Sequence, residues 1–167
     1  MKILSLLAAL LLAPALSAAI FTVNTLVDEN NTGPDLSLRE AITASSSGDT
    51  INFAAGLNGG TIKLVHGGFT LTKSLTFDAS TLPAGIGIDG NETYQVFSII
   101  HQTSTGTLNY LFSKIGILNG KAAPGNLGAG IRVSGPRPLH ATPDPVVYEC
   151  HVERTARLSF GGVAVDV

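Results

Sequence analysis

Two aspartates, Asp78 and Asp89, each follow a short apolar run and lie eleven residues apart in the chain. Two facing carboxylates are the groups that hydrolyse glycosidic bonds. Asp89 also suits a turn, because Asp89-Gly90-Asn91 is a typical tight-corner sequence. Of the further motifs expected in polysaccharide-cleaving enzymes, the chain has only the dipeptide His66-Gly67. The pattern therefore favours turns, and it assigns no catalytic residue.

A second oxygen-rich stretch resembles the start of a calcium loop. Oxygen-bearing residues occupy its first, third and fifth positions and a glycine its sixth, namely Asp28, Asn30, Thr32 and Gly33. The twelfth position of such a loop needs a bidentate glutamate. Here that position is Arg39, and Glu40 comes one place late. The stretch predicts a polar surface turn and no metal site; a calcium ion would have to use Asp28, Asn30 and Asp35.

The remaining candidates are isolated in the sequence. Cys150 and His151 are neighbours, but successive side chains of a strand point to opposite faces, so we expect Cys150 to be a small core residue. His66, His101 and His140 lack the spacing of metal ligands, and no cofactor is expected. Asn91 and Asn119 lie near apolar runs and could stack as internal amide ladders. Residues 30–32 and 91–93 match glycosylation sequons.

One amphipathic helix is expected, over about residues 37–46. Ser37 followed by Glu40 forms a capping box, in which the two side chains bond backbone N–H groups at the helix start. Leu38, Ala41 and Ile42 then line one face, and Gly48 marks the end. Within this helix we expect Arg39 to pair with a carboxylate or with loop carbonyls.

Short strands account for most of the rest of the chain. Alternating runs separated by turn residues occur at 20–23, 50–53, 61–65, 69–72, 74–77, 85–88, 94–99, 114–117, 130–133 and 162–165. Late segments recur, with Ile131 and Val163 in corresponding places. Without a Pro-rich insertion at 136–145 the period would approach 22–24 residues, which suits one coil of a β-helix. A β-sandwich is the alternative.

The first nineteen residues have the plan of a signal peptide. Lys2 precedes an apolar run over 3–12, Pro14 follows, and small residues end at Ala19. The apolar run is too short to span a bilayer. The whole chain carries a net charge of −2 and only 13% charged residues, so no basic surface for nucleic acid is expected. These features predict an exported protein without a transmembrane helix in its mature part.

The segment after the leader resembles a known family. The matching residues are Ser37-Leu38-Arg39-Glu40-Ala41-Ile42, Gly48-Asp49-Thr50-Ile51, Gly60-Thr61-Ile62, residues 71–78 and Ile88-Asp89-Gly90-Asn91. Together they are similar to the CSLREA-type N-terminal domain of secreted bacterial right-handed β-helix proteins, over about residues 20–134. Leu36 stands where the name-giving cysteine would be.

The resemblance implies an all-β right-handed parallel β-helix with a short N-terminal capping helix. We expect a capping module at 20–55 and coils at 56–167, with the C-terminus incomplete. With no assembled catalytic set, these features favour a non-catalytic secreted or cell-surface module with an adhesive or structural role. Its partners would be surface glycans or other extracellular proteins. The alternative is a fragment of a β-helix polysaccharide lyase or glycoside hydrolase.

Overall fold

The structure, a computed structural model, describes residues 17–31, 33–100, 108–122, 129–134, 150–153, 159–160 and 163–164. Most of the expected signal peptide (residues 1–16) and the Pro-rich insertion at 136–145 lie outside this description. Strands predominate in the described part, and one α-helix, α1 (Leu38–Ala44), accompanies them. Among the described residues, no helix has the length and hydropathy needed to cross a membrane.

The strands are short and follow one another closely along the chain. They are β1 (Ile20–Val23), β2 (Asp49–Phe53), β3 (Thr61–Lys63), β4 (Phe69–Leu71), β5 (Leu75–Asp78), β6 (Ile86–Asp89), β7 (Phe97–Ile100), β8 (Tyr110–Ser113), β9 (Ile115–Leu118), β10 (Ile131–Ser134), β11 (Cys150–Glu153), β12 (Ser159–Phe160) and β13 (Val163–Ala164). All but three of them coincide with expected runs. Strands β8, β11 and β12 were not predicted from the sequence.

The strands form three parallel sheets, and after β1 each sheet contains every third strand of the chain. Their orders are β1-β2-β5-β8-β11, β3-β6-β9 and β4-β7-β10. This parallel pairing overturns the β-sandwich alternative for the described strands, because sandwich sheets are antiparallel. The first sheet also joins the expected capping module to the expected coils, since β2 pairs with β5.

The expected repeat length was too short. Register partners in neighbouring strands are 26 residues apart at Asp49 and Leu75, and 40 apart at Tyr110 and Cys150. Connections of different length, such as residues 79–85, separate the strands and stretch the period beyond 22–24. The proposed correspondence of Ile131 with Val163 is also wrong. Val163 pairs antiparallel with Phe160 in a two-residue ladder.

Strand alternation buries one face of each sheet. In β2 and β5 every second residue is buried, and the residues between them are half-buried. Four buried phenylalanines, Phe69, Phe77, Phe97 and Phe112, form an aromatic cluster between two sheets. Phe77 and Phe112 stack with their centroids 4.9 Å apart, and Phe97 lies 5.2–5.5 Å from the other three rings. These rings therefore link the sheet of β5 and β8 to the sheet of β4 and β7, and the same core includes Ile62, Ile88 and Ile115 from the third sheet.

The helix begins where the sequence predicts and ends earlier. Ser37 is its N-cap, and Leu38, Ala41 and Ile42 are buried, so the apolar face is confirmed. These residues pack at β1 and β2. The helix ends at Ala44 with Ser45 as its C-cap, and Gly48 instead takes a left-handed φ of 93° in the turn before β2.

Candidate functional site

The start of α1 is fixed by a complete capping box. The Ser37 hydroxyl accepts the Glu40 N–H, and Glu40 Oε2 accepts the Ser37 N–H at 2.9 Å. The other Glu40 oxygen accepts the N–H of Asn31 at 2.8 Å, which ties the preceding loop to the helix. The bonds from Ser37 and then Asn31 lower the pKa of the Glu40 carboxyl. Glu40 therefore has the structural role expected for it.

Arg39 forms a bidentate ion pair with Asp28 across that loop. Its Nε lies 2.7 Å from Asp28 Oδ1, and its Nη2 lies 3.0 Å from Asp28 Oδ2. The Asp28 side chain is fully buried and that of Arg39 is 16% exposed. Bidentate pairs of this kind fix direction as well as charge. The expectation that Arg39 pairs with a carboxylate is confirmed.

The same pair reaches the connection between β3 and β4. Asp28 Oδ2 accepts the backbone N–H groups of Val65 at 2.8 Å and His66 at 3.0 Å. Arg39 Nη2 donates to the Gly67 carbonyl at 2.6 Å, and its guanidinium lies 4.7 Å from the centroid of the Phe69 ring. We name Asp28, Arg39 and residues 65–67 the cap latch. It fastens the loop and α1 to the strands beside them.

The latch sets the charge state of Asp28. Burial by itself raises the pKa of this carboxyl, but the hydrogen bond from Arg39 and the bonds from His66 and Val65 outweigh it. The net effect lowers the pKa. Four N–H donors hold the buried carboxylate ionised and fixed in position, which is the arrangement of a structural ion pair.

The calcium-loop candidates do not converge. Asp28 pairs with Arg39. Asp35 is exposed, and its Oδ1 accepts a hydrogen bond from Asn24 Nδ2 at 3.3 Å. Thr32 lies outside the described residues. Asn31, which the sequence analysis did not single out, closes the turn by accepting the Gly33 N–H. In the described part of the chain, no three or more His, Cys, Asp or Glu side chains form a group that could hold a metal ion.

The two carboxylates considered for glycoside chemistry lie in different sheets. Asp78 ends β5, and its Oδ1 accepts the Ser80 N–H at 2.8 Å. Asp89 ends β6 and accepts the Asn91 N–H at the same distance. Each bond spans two residues, which is the geometry of an Asx-turn. The corner expected at Asp89-Gly90-Asn91 is confirmed, and Asp78 makes a second turn of the same kind.

The other candidates take backbone roles or lie outside the description. Asn91 and Asn119 have positive φ values of 57° and 44°. Asn119 is exposed, so the prediction of an internal amide ladder is wrong. Both asparagines instead lie in turns, with a left-handed backbone conformation. The exposed His66 contributes only its backbone to the latch. Cys150 lies in β11, but its side chain is not described, and His101 and His140 are also outside the described residues.

A shallow groove that the sequence did not reveal borders β4 and β7. Its volume is about 270 Å³. Hydroxyl side chains, an aromatic ring and a lysine lie along it, namely Thr70, Thr93, Tyr94, Ser98 and Lys121. Thr70, Ser98 and Arg132 occupy matching positions in β4, β7 and β10. The signal in the sequence is one polar residue between two apolar ones in each strand.

The described fold thus defines a protein of parallel β-sheets with a latched N-terminal helix. Comparison with protein-family models, with curated proteins and with solved structures gives no match.

Proposed function

We propose that the chain is a right-handed parallel β-helix with a CSLREA-type N-terminal domain. Each parallel sheet contains every third strand, and this order supports the proposal. In a β-helix with three strands per coil, each strand pairs with the corresponding strand of the next coil, three strands later in the chain. The hand follows from the general rule that crossovers between parallel strands of one sheet are right-handed in about 98% of cases. Helix α1 then covers one end of the coils, as the resemblance implies.

We further propose a non-catalytic role at the cell surface or in the medium, in adhesion to glycans. The observation that carries it is the groove beside β4 and β7. Tyr94 lines the groove with an aromatic side chain, the hydroxyls of Thr70 and Ser98 offer hydrogen bonds, and Lys121 offers a positive charge. Arg132 adds a second cation next to Ser98. This combination suits glycans that bear carboxylate or sulfate groups.

A glycan-binding assay tests this role. Purified protein is applied to immobilised alginate, pectate and glycosaminoglycans at low salt and at about 0.5 M salt. Binding to the anionic glycans is expected, and it should weaken at high salt because charge attraction is screened. Lys121→Ala is expected to weaken binding, and Lys63→Ala on the sheet of β3 is the matched control. Equal binding by both variants, or binding only to neutral glycans, contradicts the proposal.

The same panel distinguishes adhesion from catalysis. The products are examined for new reducing ends and for unsaturated sugars. We expect none. Turnover that disappears in Asp89→Asn but persists in Glu92→Gln would favour the enzyme-fragment alternative.

Location is tested separately, by fractionating the native host and detecting the protein with an antibody. Recovery from the outer surface or the medium supports export, and recovery from the cytoplasm contradicts it.

A further inference from the structure

The backbone of Ala19 is held at both ends by the start of β2. Its N–H donates to Asp49 Oδ1 at 2.8 Å, and its carbonyl accepts the Thr50 N–H at 2.9 Å. Asp49 is 6% exposed, and its second oxygen accepts the Ser46 N–H at 2.6 Å. A buried carboxylate therefore faces the nitrogen of a residue at the end of the expected leader.

We propose that export, as proposed above, removes residues 1–18, so that the mature chain begins at Ala19 and Asp49 binds its new α-ammonium group. This moves the expected leader boundary from Ala19 to Ala18. Ser17, Ala18 and Ala19 are all exposed, so the fold leaves space for a free amine at Ala19. The small residue Ala18 directly precedes this cut, and Leu16 occupies the third place before it, where the A-x-A pattern of leader peptidases has a small residue.

The cleavage is a hydrolysis with water as the only co-reactant. Water adds to the carbonyl carbon of Ala18, and the C–N bond to Ala19 breaks. Ala18 leaves with the leader as a carboxylate. The nitrogen of Ala19 keeps the bonding pair, takes up protons and becomes an ammonium group. The donor to Asp49 thereby changes from a neutral amide to a cation, so a hydrogen bond to a carboxylate becomes a hydrogen-bonded ion pair.

Cuts at the adjacent bonds fit this site less well. A cut after Ala19 removes both the donor to Asp49 and the acceptor of the Thr50 N–H. A cut after Ser17 leaves Ala19 with an amide nitrogen and places the new charge one residue away from Asp49. Only the cut after Ala18 places the ammonium at the carboxylate and keeps the bond to Thr50.

The ionised carboxylate of Asp49 favours a cation at the Ala19 nitrogen. Bonds from Ser46 and Ala19 lower the pKa of Asp49, and Lys73 acts in the same direction. Lys73 lies just before β5, and its Nζ donates to the Ser45 carbonyl. The lowered pKa keeps Asp49 ionised in the pH range where an α-amino group titrates.

The first experiment identifies the mature N-terminus. The full chain is expressed with its leader in a secreting bacterium, and the exported protein is analysed by N-terminal sequencing and intact mass. A start at Ala19 is expected. A start at Ala18 or Ile20 overturns the inference and leaves export standing. Retention in the cytoplasm with the leader attached contradicts the proposed export itself.

The second experiment isolates the charge. Protein that begins at Ala19 is compared with the same protein acetylated at its α-nitrogen, which keeps an N–H donor but has no charge. Acetylation is expected to lower the midpoint of thermal unfolding by about 2–4 °C at pH 7. In Asp49→Asn this difference should vanish, whereas in Asp35→Asn it should persist.

A labelling measurement covers the case in which Asp49→Asn does not fold. At pH 8 the Ala19 amine of the folded protein should react with an acylating reagent several-fold more slowly than in 6 M guanidinium, because Asp49 holds it protonated. Equal rates, or no effect of acetylation on the unfolding midpoint, overturn the assignment of Asp49 as the binding group.

Discussion

Asp28 shows how one buried carboxylate organises three separate pieces of chain. It takes two bonds from Arg39 on α1 and two from backbone N–H groups between β3 and β4. The carboxylate itself belongs to the loop after β1. Removing any donor leaves a buried charge short of a partner, which costs far more than an exposed ion pair contributes.

Arg39→Ala should therefore destabilise the protein strongly. We expect the free energy of unfolding to fall by about 3 kcal/mol, since Asp28 would stay buried without its counter-ion. Arg39→Lys should lose less, because one ammonium keeps the charge but cannot bond both Asp28 oxygens and the Gly67 carbonyl together. Urea unfolding of the purified protein measures both, with exposed Lys63→Ala as the control. A loss in Arg39→Ala no larger than in Lys63→Ala would contradict the role of the latch.

The lowered pKa of Asp28 predicts an acid-sensitive stability. A carboxyl whose folded pKa lies below its unfolded value stabilises the fold above the unfolded pKa, near 3.8, and loses this contribution as pH falls through the folded pKa. The unfolding midpoint should thus decline below about pH 4 and be insensitive to Asp28 between pH 5 and 8. Asp28→Asn should flatten the acid decline; an unchanged decline in this variant would show that other carboxyls cause it.

The bonds of the capping box could be predicted from the sequence, and the partners of Asp28 could not. Ser37 and Glu40 are three residues apart, so local spacing alone revealed their bonds. Asp28 and Arg39 are eleven residues apart across an irregular loop, and the backbone of residues 65–67 joins them from another strand connection. Local periodicity does not encode such contacts, and the same aspartate matched a calcium pattern by composition.

Among the elements, α1 depends on its cap because seven residues form a marginal helix by themselves. Ser37→Ala removes the acceptor of the Glu40 N–H and also the hydroxyl bond to the Glu29 carbonyl. The free energy of unfolding should fall by about 1 kcal/mol. Ser46→Ala, an exposed serine beyond the helix, is the control. Denaturant unfolding compares the two, and equal losses would contradict the importance of the cap.

Gly68 lies where the connection between β3 and β4 passes close to the connection between β6 and β7. A Cβ added there would overlap the carbonyl oxygen of Gln95, and backbone has little room to move. Gly68→Ala should lower the unfolding midpoint by several degrees or prevent folding, whereas Gly56→Ala meets no atom within 4 Å and should be tolerated. Expression yield and thermal melts compare the variants, and equal melts would show that this approach is loose.

The strands could be predicted where their side chains alternate cleanly. In β2 and β5 apolar and polar residues alternate, and both were expected within one residue of their bounds. Strand β8 was missed because Leu111 is an apolar residue between two buried aromatics, which hides the period of two. The order of the three parallel sheets was beyond local sequence patterns, since pairing partners in them lie 26 or more residues apart.

At the scale of the whole molecule, three sheets share one core, so their stability should be cooperative. Phe97 from β7 contacts Phe69 in its own sheet and Phe77 and Phe112 in the neighbouring sheet. Its ring is fully buried and joins the two sheets. Loss of this one side chain should weaken both sheets together rather than β7 alone.

Phe97→Ala is therefore expected to reduce the free energy of unfolding by about 3–5 kcal/mol, through lost burial and the cavity left among three rings. Phe97→Leu should cost less, because it fills part of that space. Leu118→Ala, at a side chain 44% exposed, is the control and should change little. Circular dichroism of the strands and fluorescence of the tyrosines should shift to lower denaturant by the same amount. If the two signals separate, the sheets unfold independently and the shared core does not couple them.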